Sequence, residues 1–274
     1  GGFSPIDGFM CSDEVDSILS HYKLLNSVAW TIPIILQITK KDYENITVGE
    51  VINLIFNSSS IGCLNTREKF KINMDDYCHK VYGSTDNNHP GVKLIRMNGE
   101  YIISGHISLF DDPNKYLDHI YLSAKDSRYI MRDKGWRTVV GFHSRNIPHN
   151  GHLFIQKKAY DKIHSDGLFI SPLTGTIRNS DFSIKQIINC YNSLINNRYY
   201  KKREILFNPI QYYPRFAGER EAIMTALIRQ NYGCSHFIVG RDHAGIDSGD
   251  QLLSTLGKLY DRLNEEININ LLFF

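Results

Sequence analysis

The strongest local concentration of chemically capable side chains is Gly141-Phe142-His143-Ser144-Arg145-Asn146-Ile147-Pro148-His149-Asn150-Gly151-His152. A buried-type strand, Thr138–Phe142, runs into a polar loop. Pro148 is then placed to open a helix, where its missing N–H costs nothing. A helix N-terminus offers unpaired N–H groups and a partial positive charge, which together make a phosphate site. His149 and His152 are three residues apart, so on a helix they share one face. Two imidazoles there can donate hydrogen bonds to phosphate oxygens and stabilise charge growing on a phosphorus centre. Gly151 between them admits a close approach to the backbone. Two surface histidines, or half of a metal site, would give the same spacing. A zinc site needs further ligands, and no Cys or acid stands nearby at ligand spacing.

Two other segments carry weaker signals of the same kind. Pro214-Arg215-Phe216-Ala217-Gly218-Glu219-Arg220-Glu221-Ala222 opens a helix. Arg215 and Arg220 have the chemistry to pair with anions, although a solvated charged helix face explains them slightly better. Gly240-Arg241-Asp242-His243-Ala244-Gly245 follows the strand His236–Val239 directly. Ligand contacts in a doubly wound fold gather at such carboxyl ends of strands.

These segments need a scaffold, and the rhythm of the chain supplies one. Residues 1–115 alternate short apolar runs (Trp30–Ile38, Val51–Phe56, Tyr101–Ile107) with turn signals, the pattern of a mainly β module. Asn98-Gly99, between Leu94–Met97 and Tyr101–Ile103, predicts a hairpin. Asp13–Leu25 predicts a helix capped by Ser12 or Asp13. A break falls near Asp111-Asp112-Pro113-Asn114. Residues 116–274 then alternate strand and helix, with helices expected at Gly151–Ile163, Ser183–Asn196, Glu219–Gln230 and Gln251–Glu265. Strands are expected at Leu168–Ser171, Glu204–Phe207, His236–Val239 and Ile267–Phe273. That alternation means an α/β region built on a parallel sheet with helices on both faces.

Composition bounds the function classes. The 274 residues are 42% hydrophobic and 22% charged, with a net charge of +2. That balance suits a globular chain and lacks the strong basic face of a nucleic-acid binder. The cluster Lys201-Lys202-Arg203 is too short to change this. Five dispersed cysteines predict reduced thiols and a cytoplasmic setting. No stretch approaches the ~20 apolar residues that span a bilayer.

The segment Asn231-Tyr232-Gly233-Cys234-Ser235-His236-Phe237-Ile238-Val239-Gly240-Arg241-Asp242-His243-Ala244-Gly245 resembles a signature block of the ATP sulfurylase (sulfate adenylyltransferase) family. His149-Asn150-Gly151-His152 resembles the H-x-G-H signature of the wider adenylyl-transferring superfamily. Gly1–Met10 and Val81–Asp86 with His89–Val92 are similar to further family blocks, in the same order. The resemblance implies a PUA-like β-rich domain over 1–115 and a Rossmann-like nucleotidyltransferase domain over 116–274. It implies ATP plus sulfate giving adenylyl sulfate and pyrophosphate, by direct in-line attack on the α-phosphate, in a homo-oligomer. Magnesium would enter with the nucleotide, and no resident metal is expected.

By the same resemblance, Ser144, Arg145, Asn146, His149, His152 and Arg215 are catalytic. ATP is bound by His143, Ser144, Arg145, Asn146, His149, His152, Gly240, Arg241, Asp242 and His243. Sulfate is bound by His143, Arg145 and the backbone of Ala244. The family has Gln where this chain has His143, and Pro where it has Glu219. His143 offers a different donor and acceptor set. An adenylyltransferase with another oxyanion or a phosphorylated acceptor is therefore an alternative. The family's Ile-Ser-Gly-Thr-like segment after Phe274 and its residues before the Gly1 block are both missing, which predicts a fragment, or a chain trimmed at both ends. That leaves a non-catalytic nucleotide-binding homologue as a third reading.

Overall fold

The computed structural model describes residues 1–56, 58–110, 121–175, 182–200, 205–240 and 249–274. The amino-terminal region is organised by a long central pair of strands. β1 (Gly8–Phe9) leads into α1 (Ser12–His21), β2 (Leu36–Gln37), α2 (Lys40–Asn45), β3 (Val51–Phe56) and β4 (Ser59–Lys71). Helices α3 (Met74–Tyr82) and α4 (Pro90–Asn98) follow, then β5 (Tyr101–Leu109). The sheet runs β1-β5-β4-β3, with β2 also paired to β5, and every pairing is antiparallel.

The hairpin expected at Asn98-Gly99 does not form. Residues 94–97 lie inside α4, because Pro90 opens that helix and Val92 and Ile95 bury one face of it. Gly99 closes the helix at φ 87°, and β5 pairs with β4 instead. The helix predicted over Asp13–Leu25 begins earlier and ends earlier. Cys11 is its N-cap, with its N–H donating to the Glu14 carboxylate at 2.9 Å. It stops at His21, beyond which Tyr22 turns left-handed.

The carboxyl-terminal half follows the predicted alternation. After α5 (Ala124–Asp133) come β6 (Val139–Phe142), α6 (Asn150–Lys162), β7 (Gly167–Ile170) and α7 (Ile184–Asn196). Then come β8 (Ile205–Phe207), α8 (Gly218–Tyr232), β9 (His236–Val239), α9 (Gly249–Leu263) and β10 (Asn270–Phe273). The sheet order is β10-β9-β6-β7-β8, all parallel. Val139–Phe142 and Gly167–Ile170 are buried at every position, as strands covered on both faces must be. Side chains of a strand alternate between faces, and so do the cores. Val140, Phe142, Leu168 and Ile170 pack with Ala159 of α6 and Ile187 and Tyr191 of α7. Val139, Phe169 and Phe237 pack with α8 on the other side.

That second core continues without a break into the amino-terminal region, through Ile18, Trp30, Val92 and Ile95. Helix α8 is the shared element. Eleven of its fifteen residues are buried, so it shows no apolar stripe; it is wrapped on both sides. Arg220 is 4% exposed. It neither pairs with an anion nor lies on a solvated face. Its guanidinium donates to the carbonyls of Ile18, Leu19 and Thr31 at 2.9–3.1 Å. It thus satisfies carbonyls in the last turn of α1, where a cation is favoured by the helix dipole.

Candidate active site

In the parallel sheet the chain winds outward from β6 through β7 to β8, then returns to place β9 on the other side of β6. The crevice between the carboxyl ends of β6 and β9 is therefore the topological switch point, where open α/β sheets bind ligands. A cleft of about 470 Å³ opens there. Its walls are the loop after β6, the start of α6, the end of β9 at Gly240, and the loop before α8. Six of the predicted residues converge on it from one continuous segment: His143, Ser144, Arg145, Asn146, His149 and His152.

The loop after β6 is held by short-range hydrogen bonds. The Ser144 hydroxyl accepts from the Asn146 N–H at 2.9 Å, closing a tight polar turn. The Ser144 carbonyl accepts from Leu173 N–H, and that of Phe142 from Ser171 N–H. Ser171 is in turn gripped by Arg229. Its Nε donates to Ser171 Oγ at 3.1 Å and its Nη2 to the Ser171 carbonyl at 3.3 Å. Arg229 is fully buried, and burial pushes its pKa down to about 10. Sequence reasoning passed over this residue, since only the packed helix reveals that it braces the cleft floor.

The helix start differs from the expectation in one respect. Pro148 stands before the N-cap, not within the first turn; the N-cap is His149. Its Nδ1 accepts the Gly151 N–H at 3.1 Å. One orphan amide is thereby used internally, and the neutral ring carries its proton on Nε2, left to donate. A Cβ on Gly151 would sit 3.0 Å from His149 Cε1. The glycine makes room for the capping ring as well as for a ligand. His149 and His152 rings stack with centroids 3.8 Å apart and planes at 27°. His152 is pushed down to a pKa of about 4, first by burial and then by the neighbouring His149. At neutral pH it is an uncharged hydrogen-bonding group.

The buried Arg145 Nη1 and His152 Nδ1 at the cleft have no hydrogen-bond partner among the described residues. Buried polar groups are ordinarily paired, and Arg145 Nη1, which can only donate, calls for an incoming acceptor. The Arg145 guanidinium also lies over the Phe216 ring, 5.7 Å from its centroid. His143 meets Phe237 edge to face, with centroids 5.2 Å apart.

The loop before α8 carries features the sequence did not disclose. Glu221, 1% exposed, accepts from Tyr212 O–H (2.9 Å), Arg215 N–H (2.9 Å) and Ala217 N–H (3.1 Å). It lines the cleft. Phe216, between the two tethered amides, has φ 60°. Arg215, expected among the catalytic residues, does not line the cleft in this conformation. Its guanidinium lies over Tyr212, 5.4 Å from the ring centroid. Its carbonyl faces Gly91 of α4, where a Cβ would come within 2.5 Å. Arg241, Asp242, His243 and Ala244 lie outside the described residues; of that expected group Gly240 alone is seen, and it lines the cleft.

No carboxylate of the described cleft is free to hold a metal, because Glu221 already accepts three hydrogen bonds. The described metal-capable cluster, Cys11, Asp13 and Glu14, lies on α1 in the other half. None of the described helices is long and apolar enough to cross a membrane.

A doubly wound parallel sheet with a cleft at its switch point defines a Rossmann-like α/β fold. The family model for ATP-sulfurylase matches residues 118–274, and that for a PUA-like domain matches residues 1–112. The chain belongs to the ATP-sulfurylase family. It is 37% identical over 247 residues to the sulfate adenylyltransferase of Thermococcus onnurineus, covering 90% of this chain and 63% of that one. It is 39% identical over 249 residues to the sulfate adenylyltransferase of a Synechococcus strain, covering 90% and 62%. The chain thus spans less than two thirds of the length of these relatives. The hexameric APS kinase from Thiobacillus denitrificans superposes with a TM-score of 0.73 at 15% identity, over 100% of this chain and 47% of that one. That likeness concerns the fold.

Proposed function

We propose that this chain carries the nucleotide- and oxyanion-binding cleft of a sulfate adenylyltransferase, joining ATP and sulfate to give adenylyl sulfate and pyrophosphate. The observation that carries the reading is the pair of buried, unpartnered atoms, Arg145 Nη1 and His152 Nδ1, on two residues that line one cleft. The names of the relatives point the same way.

In this reading a sulfate oxygen forms the new bond to the α-phosphorus. The bond from that phosphorus to the bridging oxygen of the β-phosphate breaks in line, and pyrophosphate leaves. No covalent enzyme intermediate is required, so the protein contributes positioning and charge stabilisation. Arg145 holds sulfate through a fork of N–H donors. His149 and His152 donate to the nucleotide phosphates from the α6 N-terminus. His143 borders the sulfate side of the loop, while Ser144 and Asn146 shape it and offer donors. Gly240, Arg241, Asp242 and His243 border the ATP site, and Ala244 offers a backbone contact to sulfate. Arg215 contributes by turning its guanidinium off Tyr212. Magnesium arrives with ATP as part of the substrate, screening its phosphates.

We further propose that the division between the two regions falls near residue 115, that the protein is a homo-oligomer, and that it works in the cytoplasm. Light scattering on the full-length protein tests the second point.

The test of the reaction is pyrophosphate release by the full-length protein. Release that requires both ATP and sulfate supports the reading; release indifferent to sulfate, or none, sinks it. His143 favours a second reading, because it borders the cleft with a donor and acceptor set unlike that of Gln. An acceptor other than sulfate would then be preferred. A panel of oxyanions and phosphorylated acceptors decides, and His143→Gln restores sulfate preference if that reading holds.

A further inference from the structure

Ala217, the residue before α8, has no side-chain oxygen with which to cap the helix. The Glu221 carboxylate instead reaches back from the start of the helix to the chain before it. It accepts from Ala217 N–H and Arg215 N–H, two residues apart, and from the Tyr212 hydroxyl. Three donors on one carboxylate close residues 212–217 into a fixed ring of chain. Charge-assisted bonds of this kind are stronger than neutral ones, and they lie at a helix N-terminus that favours negative charge. The residue held between the two tethered amides is Phe216. It adopts φ 60°, a left-handed conformation that bulky residues avoid unless the surroundings enforce it. That conformation sets the Phe216 ring at the cleft, under the Arg145 guanidinium. Arg145 has one buried nitrogen left for a ligand, so the direction in which it points depends on the ring beneath it.

We propose that Glu221 is a positioning residue: it clamps the 212–217 loop so that Phe216 aims Arg145 into the cleft. Glu221 touches no reacting atom in this scheme. The proposal rests on the adenylyl-transfer reading for its kinetic consequence. It rests on the hydrogen bonds alone for its structural one.

Both consequences are measurable in the full-length protein. Glu221→Gln keeps size and one acceptor oxygen but removes the charge and presents an NH2 to an N–H donor. It is expected to raise the KM for sulfate roughly tenfold or more, while the Kd for ATP stays within about threefold. Phe216→Ala is expected to do the same. Because both act through Arg145, the double variant should be no worse than the poorer single one, within about threefold. Multiplying effects, or an unchanged sulfate KM in Glu221→Gln, overturn the proposal. A residue that merely stabilised the fold would weaken ATP binding and sulfate binding together. Tyr212→Phe, which removes one of the three donors and keeps the ring, should shift the sulfate KM in the same direction by less.

Amide hydrogen exchange supplies the arm that does not need turnover. In Glu221→Gln the Arg215 and Ala217 amides should exchange about tenfold faster or more, with α8 unchanged beyond its first turn. If the wild type releases no pyrophosphate with sulfate, the functional reading fails. Wild-type exchange rates at these two amides would reject the clamp itself, whatever the reaction.

Discussion

His149 and His152 stack face to face, 3.8 Å between ring centroids, with His149 capping α6 and His152 half-buried behind it. Two imidazoles in that contact cannot both be charged cheaply, and burial already holds His152 neutral. Its folded pKa of about 4 lies below the ordinary 6.5. Between those values the unfolded chain takes up a proton that the folded one refuses. The contribution to stability is therefore complete above about pH 6.5 and is lost as pH falls through 4, at most about 2 kcal/mol after allowing for partial exposure. Denaturant titrations at pH 7 and pH 4.5 should reveal it, and His152→Gln should flatten the difference.

Nucleotide binding should act on the same ring in the opposite sense. Phosphate charge beside His152 favours its protonated form. ATP binding near pH 5 should then take up protons, and affinity should tighten as pH falls from 7 toward 5. Calorimetry in two buffers of different ionisation enthalpy measures the uptake. His152→Gln should abolish it.

Arg145 is the cation with a buried, unpartnered nitrogen in the described cleft. Lysine there would keep the charge but lose the planar fork and the stacking on Phe216. Arg145→Lys is expected to lower kcat/KM for sulfate roughly 10²-fold, a loss of about 3 kcal/mol. ATP binding by calorimetry should change little. Comparable losses for both substrates would argue that Arg145 serves the nucleotide.

Gly151→Ala introduces a methyl 3.0 Å from the His149 ring. The exposed ring can yield, so stability should change by less than about 1 kcal/mol. The ring cannot yield and keep its bond to the Gly151 N–H. Several-fold weaker ATP binding with an unchanged melting temperature is the expected result.

Arg220 predicts the reverse profile. Arg220→Met removes three buried hydrogen bonds to α1 and the 30–32 segment. It strips the Leu19 and Thr31 carbonyls of that donor, while the Ile18 carbonyl keeps the Tyr22 N–H, at a cost of about 3 kcal/mol. Thermal unfolding should show a drop of several degrees, and the Kd for ATP well below the new melting point should hold.

By itself the sequence determined whatever is local in chain distance. Fully apolar runs such as Val139–Phe142 announce strands buried on both faces, and their alternation with helices announces a parallel sheet. The Gly141–His152 segment is one strand, one loop and one helix start. Its residues reach the cleft together because a dozen consecutive residues cannot scatter. Chain-local signals misled where a neighbour outbid them. Asn98-Gly99 has turn chemistry, yet Val92 and Ile95 gain more by burying a helical face against the core, and the glycine ends a helix. Only the tertiary structure decided that β9 returns beside β6, bringing Gly240 to the far wall of the cleft. It alone decided the fates of Arg215, Arg220, Glu221 and Arg229. These four charges sit at the same few positions of one loop and helix, and no periodicity distinguishes them. Burial does, because a charge taken out of water must find donors or acceptors, and which ones it finds depends on elements up to two hundred residues away.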